Sequence, residues 1–259
     1  MWFRRIVLLI ALGAGCGMNE TVAKTAITIS LTSDSYILGE PMPLTVTYIN
    51  VSNHSFSMKQ PDKLWEVRLE VTSSGGVQED EGFGRIQISR PNEQTERYIV
   101  EKADTITLRP KESYTFQCDI TARFPEILPP GQHLVRVIDQ TDDDNTIESN
   151  ELPITIRFTP QSVSRLLVLA ADETKESRYR QWAAGWLREL KPDFQPRFAF
   201  GGEPESVLED YRKRTQDAVA TFNSWWAVNQ YNESTNRAIQ EINDHYFIPE
   251  EEAPEDENE

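Results

Sequence analysis

The sequence predicts an α+β protein in which an antiparallel β-sandwich is followed by a small helical region. Three observations carry this reading. Apolar residues recur with period two in a series of short segments between residues 26 and 158. Breaks containing Gly and Pro separate those segments. After Phe158 the period changes to 3.6, the spacing of an amphipathic helix. The 259 residues allow one or two domains, and six Trp, eight Tyr and eleven Phe supply large side chains for a core.

The N-terminus reads as an address. Residues 1–15 are MWFRRIVLLIALGAG. Arg4 and Arg5 make a short positive region, residues 6–12 an apolar run, and Gly13, Ala14 and Gly15 a small-residue end. That is the layout of a secretory signal peptide. The run is too short to cross a bilayer about 30 Å thick. Leu12-Gly13-Ala14-Gly15-Cys16 resembles the bacterial lipobox, with Gly13 standing where that motif usually has Leu. The resemblance implies lipidation at Cys16: a diacylglyceryl group on the thiol, cleavage before it, and an acylated amino group. Two or three acyl chains anchor stably where one is marginal. Residues 16–25 then form a lipidated tether. The expected location is a bacterial cell envelope, reached by export, with the membrane engaged through the N-terminal lipid.

The strands follow in order over residues 26–158. Ile27, Ile29 and Leu31 alternate, as do Leu44, Val46 and Tyr48. Trp65, Val67, Leu69 and Val71 make the third set. Tyr98 with Val100, and Ile106 with Leu108, mark shorter segments. Tyr114, Phe116, Cys118 and Ile120 come next, then Val135 and Val137, then Leu152, Ile154, Ile156 and Phe158. Gly39-Glu40-Pro41, Ser73-Ser74-Gly75-Gly76, Arg109-Pro110-Lys111-Glu112 and Pro129-Pro130-Gly131 are turn chemistry. About seven short strands with frequent turns predict an Ig-like sandwich. The Cys–Trp–Cys signature of antibody domains is missing, so packing alone must hold the core.

Tyr36-Ile37-Leu38-Gly39-Glu40-Pro41 and the strand from Leu44 to Asn50 resemble the opening of bacterial extracytoplasmic Ig-like domains. The stretch 128–137 is similar to their penultimate strand, and 148–156 to their last. The family includes the adhesion-related domain called CARDB and the proteinase-inhibitor-type Ig domain. The resemblance covers about 130 residues of turns and strand ends. It implies a fold and carries over no binding residue.

Two features inside the sandwich have chemical readings. Residues 139–148 hold Asp139, Asp142, Asp143, Asp144, Asn145 and Glu148, oxygen ligands of the type a hard cation takes. The competing and favoured reading is a solvated loop between strands, rich in turn formers. Cys118, left alone once Cys16 is lipidated, reads as a small buried apolar residue rather than a reactive thiol.

The helical region is expected over residues 160–247 as three or four helices. Thr159-Pro160 breaks the last strand, and Ser162 is the expected cap. Val163, Leu166, Leu167 and Ala170 share one face. Tyr179, Trp182, Ala183, Trp186, Leu187 and Leu190 form a stripe that ends at Lys191-Pro192. Pro204 suits the first turn of a third helix reaching about Val228, with Phe222, Trp225 and Trp226 on it. Ala238, Ile239, Ile242 and Tyr246 mark a fourth. The tryptophans suit a small helical core better than an aromatic groove. Trp225 and Trp226 cannot both face one partner, so one is expected to be exposed or to bridge two neighbours. Arg212-Lys213-Arg214 lies within reach of Glu209 and Asp210 and reads as an ion-paired face. Residues 248–259, with seven acids and no base, read as a disordered acidic tail.

Composition removes several functions. Lys plus Arg is 26 and Asp plus Glu is 42, a net charge of −16. Phosphate binding needs a basic footprint, so no nucleic acid is expected as partner. Three scattered histidines and two cysteines do not make a zinc site. No nucleophile–base signature and no phosphate-cradling glycine loop is present. No catalytic residue, cofactor or metal is therefore assigned. The expectation is a non-catalytic, lipid-anchored envelope protein that binds a protein partner or plays a structural part. The alternatives are a proteinase inhibitor, with residues 73–83 as its longest candidate loop, and a carboxylate-based hydrolase. Residues 17–158 carry 13 bases and 22 acids, whereas residues 159–248 carry 11 and 13. The nearly neutral helices are thus the first place to expect a partner-facing surface.

Overall fold

A computed structural model describes residues 25–64, 66–73, 76–79, 85–88, 97–100, 103–124, 128–142, 145–199 and 201–247. The expected signal peptide, Cys16, nearly all of the tether, Trp65 and the acidic tail lie outside the described residues.

The described chain is α+β. One sheet has the order β1 (Thr25–Leu31), β3 (Pro43–Asn50), β10 (Ser113–Asp119). Its register sets Ile27 opposite Tyr48 and Tyr48 opposite Tyr114. The second sheet has the order β2 (Ser35–Ile37), β13 (Leu152–Arg157), β11 (Gly131–Asp142), β5 (Val67–Ser73), β6 (Gly76–Glu79), with β12 (Asn145–Glu148) also on β11. It is mixed, because β2 runs parallel to β13 while the other pairs are antiparallel. Two small ladders join β4 (Phe56–Lys59) to β9 (Thr105–Leu108) and β7 (Arg85–Ile88) to β8 (Arg97–Val100).

Alternation places Ile27, Ile29, Leu44, Val46 and Tyr48 on the inner face of the first sheet. Val67, Leu69, Val71, Val135, Val137, Ile154 and Ile156 come inward from the second. All are buried in one core, as strands with one buried face require. The outer face of the first sheet is different. Its three cross-strand rows are Ala26, Ile49, Ser113; Thr28, Thr47, Thr115; and Ser30, Thr45, Gln117. None of the nine is charged. The Thr47 and Thr115 hydroxyls lie 3.1 Å apart, and Gln117 Nε2 donates to Thr45 at 3.4 Å.

The helices are α1 (Ile120–Arg123), α2 (Pro160–Ala171), α3 (Ser177–Leu190), α4 (Glu205–Asn229) and α5 (Glu233–Tyr246). The cap of α2 corrects the expectation. Thr159 is the N-cap with Pro160 just inside, and Ser162 completes a reciprocal capping box. Pro204 likewise stands at the N-cap of α4 and not in its first turn. Val163, Leu166, Leu187, Phe222 and Ile239 bury their faces in the same core that the sheets share. The helices are therefore packed on the sandwich.

Three contacts hold that seam. Asn243 of α5 accepts from the Phe158 N–H at 2.8 Å and donates to the Phe158 carbonyl at 2.8 Å. Trp186 packs between Phe158 and Tyr246, with ring centroids at 6.4 and 5.3 Å. Gly131, at φ 135°, passes so close to α5 that a Cβ there would stand 3.1 Å from the Tyr246 carbonyl oxygen. On the far side, Asn150 bonds both backbone groups of Ile29, at 2.8 and 3.3 Å.

Candidate functional site

The seam leaves a cleft of about 280 Å³ where the turn after β2, α1 and the start of α3 meet. Gly39 makes that turn, with φ 80°, and lies against Leu166 and Leu169 of α2. Pro41, Phe124 and Leu169 give the cleft apolar walls, and Asp119, Thr121 and Tyr179 give it polar ones. Lys175 and Glu176 stand at its rim, exposed.

Asp119 owes its position to the end of β10. It is the N-cap of α1, and Oδ1 accepts from the Thr121 N–H at 3.0 Å and the Thr121 hydroxyl at 2.7 Å. The same oxygen accepts from the Met42 N–H at 2.9 Å, tying the cap to the start of β3. Among the described residues every hydrogen bond to this carboxylate falls on Oδ1, and the residue lines the cleft. Tyr179 is half-buried in the first turn of α3. Burial pushes its phenol pKa above 10, the Asp119 carboxylate pushes it further, and the Thr121 hydroxyl partly offsets both. The phenol therefore stays protonated beside the carboxylate.

A second polar group lies within the sandwich. Tyr48 is fully buried, and its hydroxyl makes no well-formed hydrogen bond. Burial first, then Asp139, pushes its pKa well above 10. His133, 3% exposed, places Nε2 2.9 Å from the Pro129 carbonyl while Nδ1 is buried without a partner. Burial holds its pKa below 6.5, and the Pro129 bond opposes the shift.

The sequence-marked residues fare differently. Residues 139–148 are chiefly a hairpin and not a loop: β11 runs on to Asp142 and pairs back with β12. Asp139 points inward, buried, accepting from the Thr141 N–H at 2.9 Å. Glu148 is bound at 2.9 Å by Arg136, which also grips the buried Glu70. Asp139 and Glu148 are thus engaged separately; residues 143 and 144, and the side chains of residues 142 and 145, lie outside the described residues. Among the described residues no group of three or more His, Cys, Asp and Glu is placed to hold a metal ion. Cys118 lies in β10, half-buried against the core. Within 73–83, Gly76–Glu79 is a paired strand, and residues 74, 75 and 80–83 lie outside the described residues.

On the helices, Trp226 is buried, and Trp225 is half-buried between Phe222, at 5.3 Å, and the Lys191 ammonium, at 5.8 Å. Trp225 bridges as expected, and neither tryptophan is exposed. Trp182 departs from its stripe, being 39% exposed. Arg214 pairs with Asp210 at 2.7 Å, and Arg212 reaches Glu205 at 2.8 Å and Glu173 at 3.4 Å. Among the described residues no helix is long and apolar enough to cross a membrane.

No protein family and no curated protein matches the sequence. Among solved structures, the chain is similar to the sporulation control protein Spo0M of Bacillus subtilis, at 14% identity and a TM-score of 0.31. That likeness covers 56% of this chain, and the chain spans only 55% of Spo0M. It is also similar to the CARDB domain of a Pyrococcus furiosus protein in complex with di-metal ions. There the identity is 11% and the TM-score 0.29, over 52% of this chain and 93% of that one. A Listeria innocua β-glucosidase in complex with gluconolactone matches 51% of this chain and 16% of its own, at 15% identity and a TM-score of 0.27.

Proposed function

We propose that this chain is a non-catalytic binding module of a bacterial cell envelope, anchored through a lipid on Cys16 and meeting a protein partner at the seam cleft. The sheet order supports an Ig-like reading of the sandwich. A three-stranded sheet β1-β3-β10 faces one built on β13-β11-β5, the arrangement of the ABE and GFC sheets of Ig domains. The observation that carries the binding reading is the cleft itself. It joins apolar walls to a few convergent polar groups, the composition of recognition sites. Asp119 there is a fixed acceptor, since its bonds also hold α1 and β3 in place.

Two measurements test the reading. Palmitate label should enter the wild-type chain and be lost in Cys16→Ser, which should also leave the membrane fraction. A photoreactive residue at Ala122, in the cleft, should cross-link one envelope protein. The same group at Arg237, exposed on α5, should not. Equal cross-linking from both positions, or none from Ala122, removes the cleft as the binding surface.

A further inference from the structure

We infer that the seam cleft receives the cationic side chain, lysine or arginine, of an extended segment of the partner; this rests on the binding reading above and names its chemistry. Asp119 and Glu176 bring two carboxylates to the cleft against one amine, Lys175. The groups that bond Asp119 are two backbone N–H groups and a hydroxyl, all uncharged. Its charge is therefore fixed in place but not neutralised, and among the described residues Oδ2 remains open for one more donor. An ammonium or guanidinium is the donor that gains most from a carboxylate.

The remaining walls fit the rest of such a side chain. Phe124, Leu169 and Pro41 offer apolar surface to a run of methylenes, which Lys and Arg bury while keeping the charged head polar. Tyr179 adds an aromatic face that attracts a cation, and its neutral phenol adds no repulsion. A volume of about 280 Å³ suits one long side chain rather than a drug-sized ligand. The protein's net charge of −16 draws cationic segments from a distance.

Lys175 makes the inference sharp. It sits on the exposed turn between α2 and α3, where its N–H donates to the Asp172 carbonyl at 3.1 Å. Its ammonium forms no ion pair with Asp119 or Glu176 within 4 Å. It acts on the Asp172 carboxylate and still lines the cleft, so it opposes an arriving cation without being needed to hold the cleft together. An anionic ligand would instead need Lys175.

The test is saturation-transfer NMR on the full-length chain in detergent micelles. The probes are the peptides acetyl-Gly-Gly-Lys-Gly-Gly-amide and its norleucine and glutamate counterparts. The lysine peptide should show saturation on its side-chain methylenes, with the other two at a tenth of that signal or less. Asp119→Asn keeps an Oδ1 acceptor for the three structural bonds and removes the charge, so it should weaken binding at least fivefold. Glu176→Gln, on an exposed side chain, gives a second reading of charge if Asp119→Asn unfolds, and should weaken binding about twofold. Lys175→Ala should strengthen binding two- to threefold. Weaker binding by Lys175→Ala, or preference for the glutamate peptide, overturns the inference. Cross-linking from Ala122 with no lysine-peptide signal sinks the cationic assignment alone. Loss of that cross-link sinks the binding reading beneath it.

Discussion

The two halves of the molecule carry their charge in opposite ways. Residues 17–158 hold 13 bases and 22 acids, whereas residues 159–248 hold 11 and 13. The uncharged surface nonetheless belongs to the acidic half, on the outer face of β1-β3-β10, where threonine, serine and glutamine stand in rows. The nearly neutral helices are covered in ion pairs, among them Arg212 with Glu205 and Arg237 with Glu233. Among the described residues, the exposed large apolar residues of this half are Val168, Trp182, Val228 and Tyr231. A near-neutral net charge on the helices, where a partner-facing surface is first expected, thus does not mean an uncharged surface. Net charge sums a region, while the pleat sorts residues by face. The strands β1, β3 and β10 send alternate residues to a shared outer surface, and their one acid, Asp119, ends β10.

The halves differ in charge but share one core, and that is the point to attack. Phe222, fully buried on α4, packs 5.1 Å from Phe194. Phe222→Ala should cost about 3–5 kcal/mol. Helical circular dichroism at 222 nm and the hydrogen-exchange protection of the β3 and β11 amides should be lost in a single denaturant transition. Two separated transitions would break the shared-core view. Asn243→Ala should cost about 2 kcal/mol, because it strands the Phe158 N–H and carbonyl at the seam. Its guanidinium midpoint should shift more than that of Asn232→Ala, whose side chain makes no cap bond to α5. Thr159→Ala, which opens the α2 capping box, should cost about 1 kcal/mol by the same titration.

The smallest effect is one of slope. His133 is held neutral by burial, so the unfolded chain binds a proton more readily than the folded one. Stability from this group is full above its unfolded pKa of about 6.5 and is lost as pH falls below it. Thermal midpoints measured from pH 7 to pH 5 should decline in the wild type. His133→Gln should decline less steeply; equal slopes would remove His133 as the cause.

Much of the fold was legible because burial on one face leaves a period in the sequence. The strands β1, β3, β5, β10 and β13 all follow their alternating apolar residues. The helices α2 to α5 follow their stripes. What escaped was short or marginal. Ser35–Ile37 has three residues and a single buried side chain, too few for a period. Phe56–Lys59 has none that is fully buried. The hairpin within 139–148 escaped because its acids look like a loop, while cross-strand pairing overrode that composition. The cleft was barely legible. Asp119, Thr121 and Tyr179 come from a strand end, a single helical turn and a helix flank. Tyr179 in particular reads as one more core residue in its stripe. A sequence-level trace did exist, since Asp119 two residues before Thr121 is a capping pattern.

The Asn243 clamp also has a consequence for the order in which the molecule is completed. Its side chain does for Phe158 what a neighbouring strand would do, answering both backbone groups at once. Chains are synthesised from the N-terminus, and early parts begin to fold first. The last strand must therefore wait, wetted by solvent at Phe158, until a residue 85 positions later has been made. The sandwich is begun by its first residues and sealed by nearly its last.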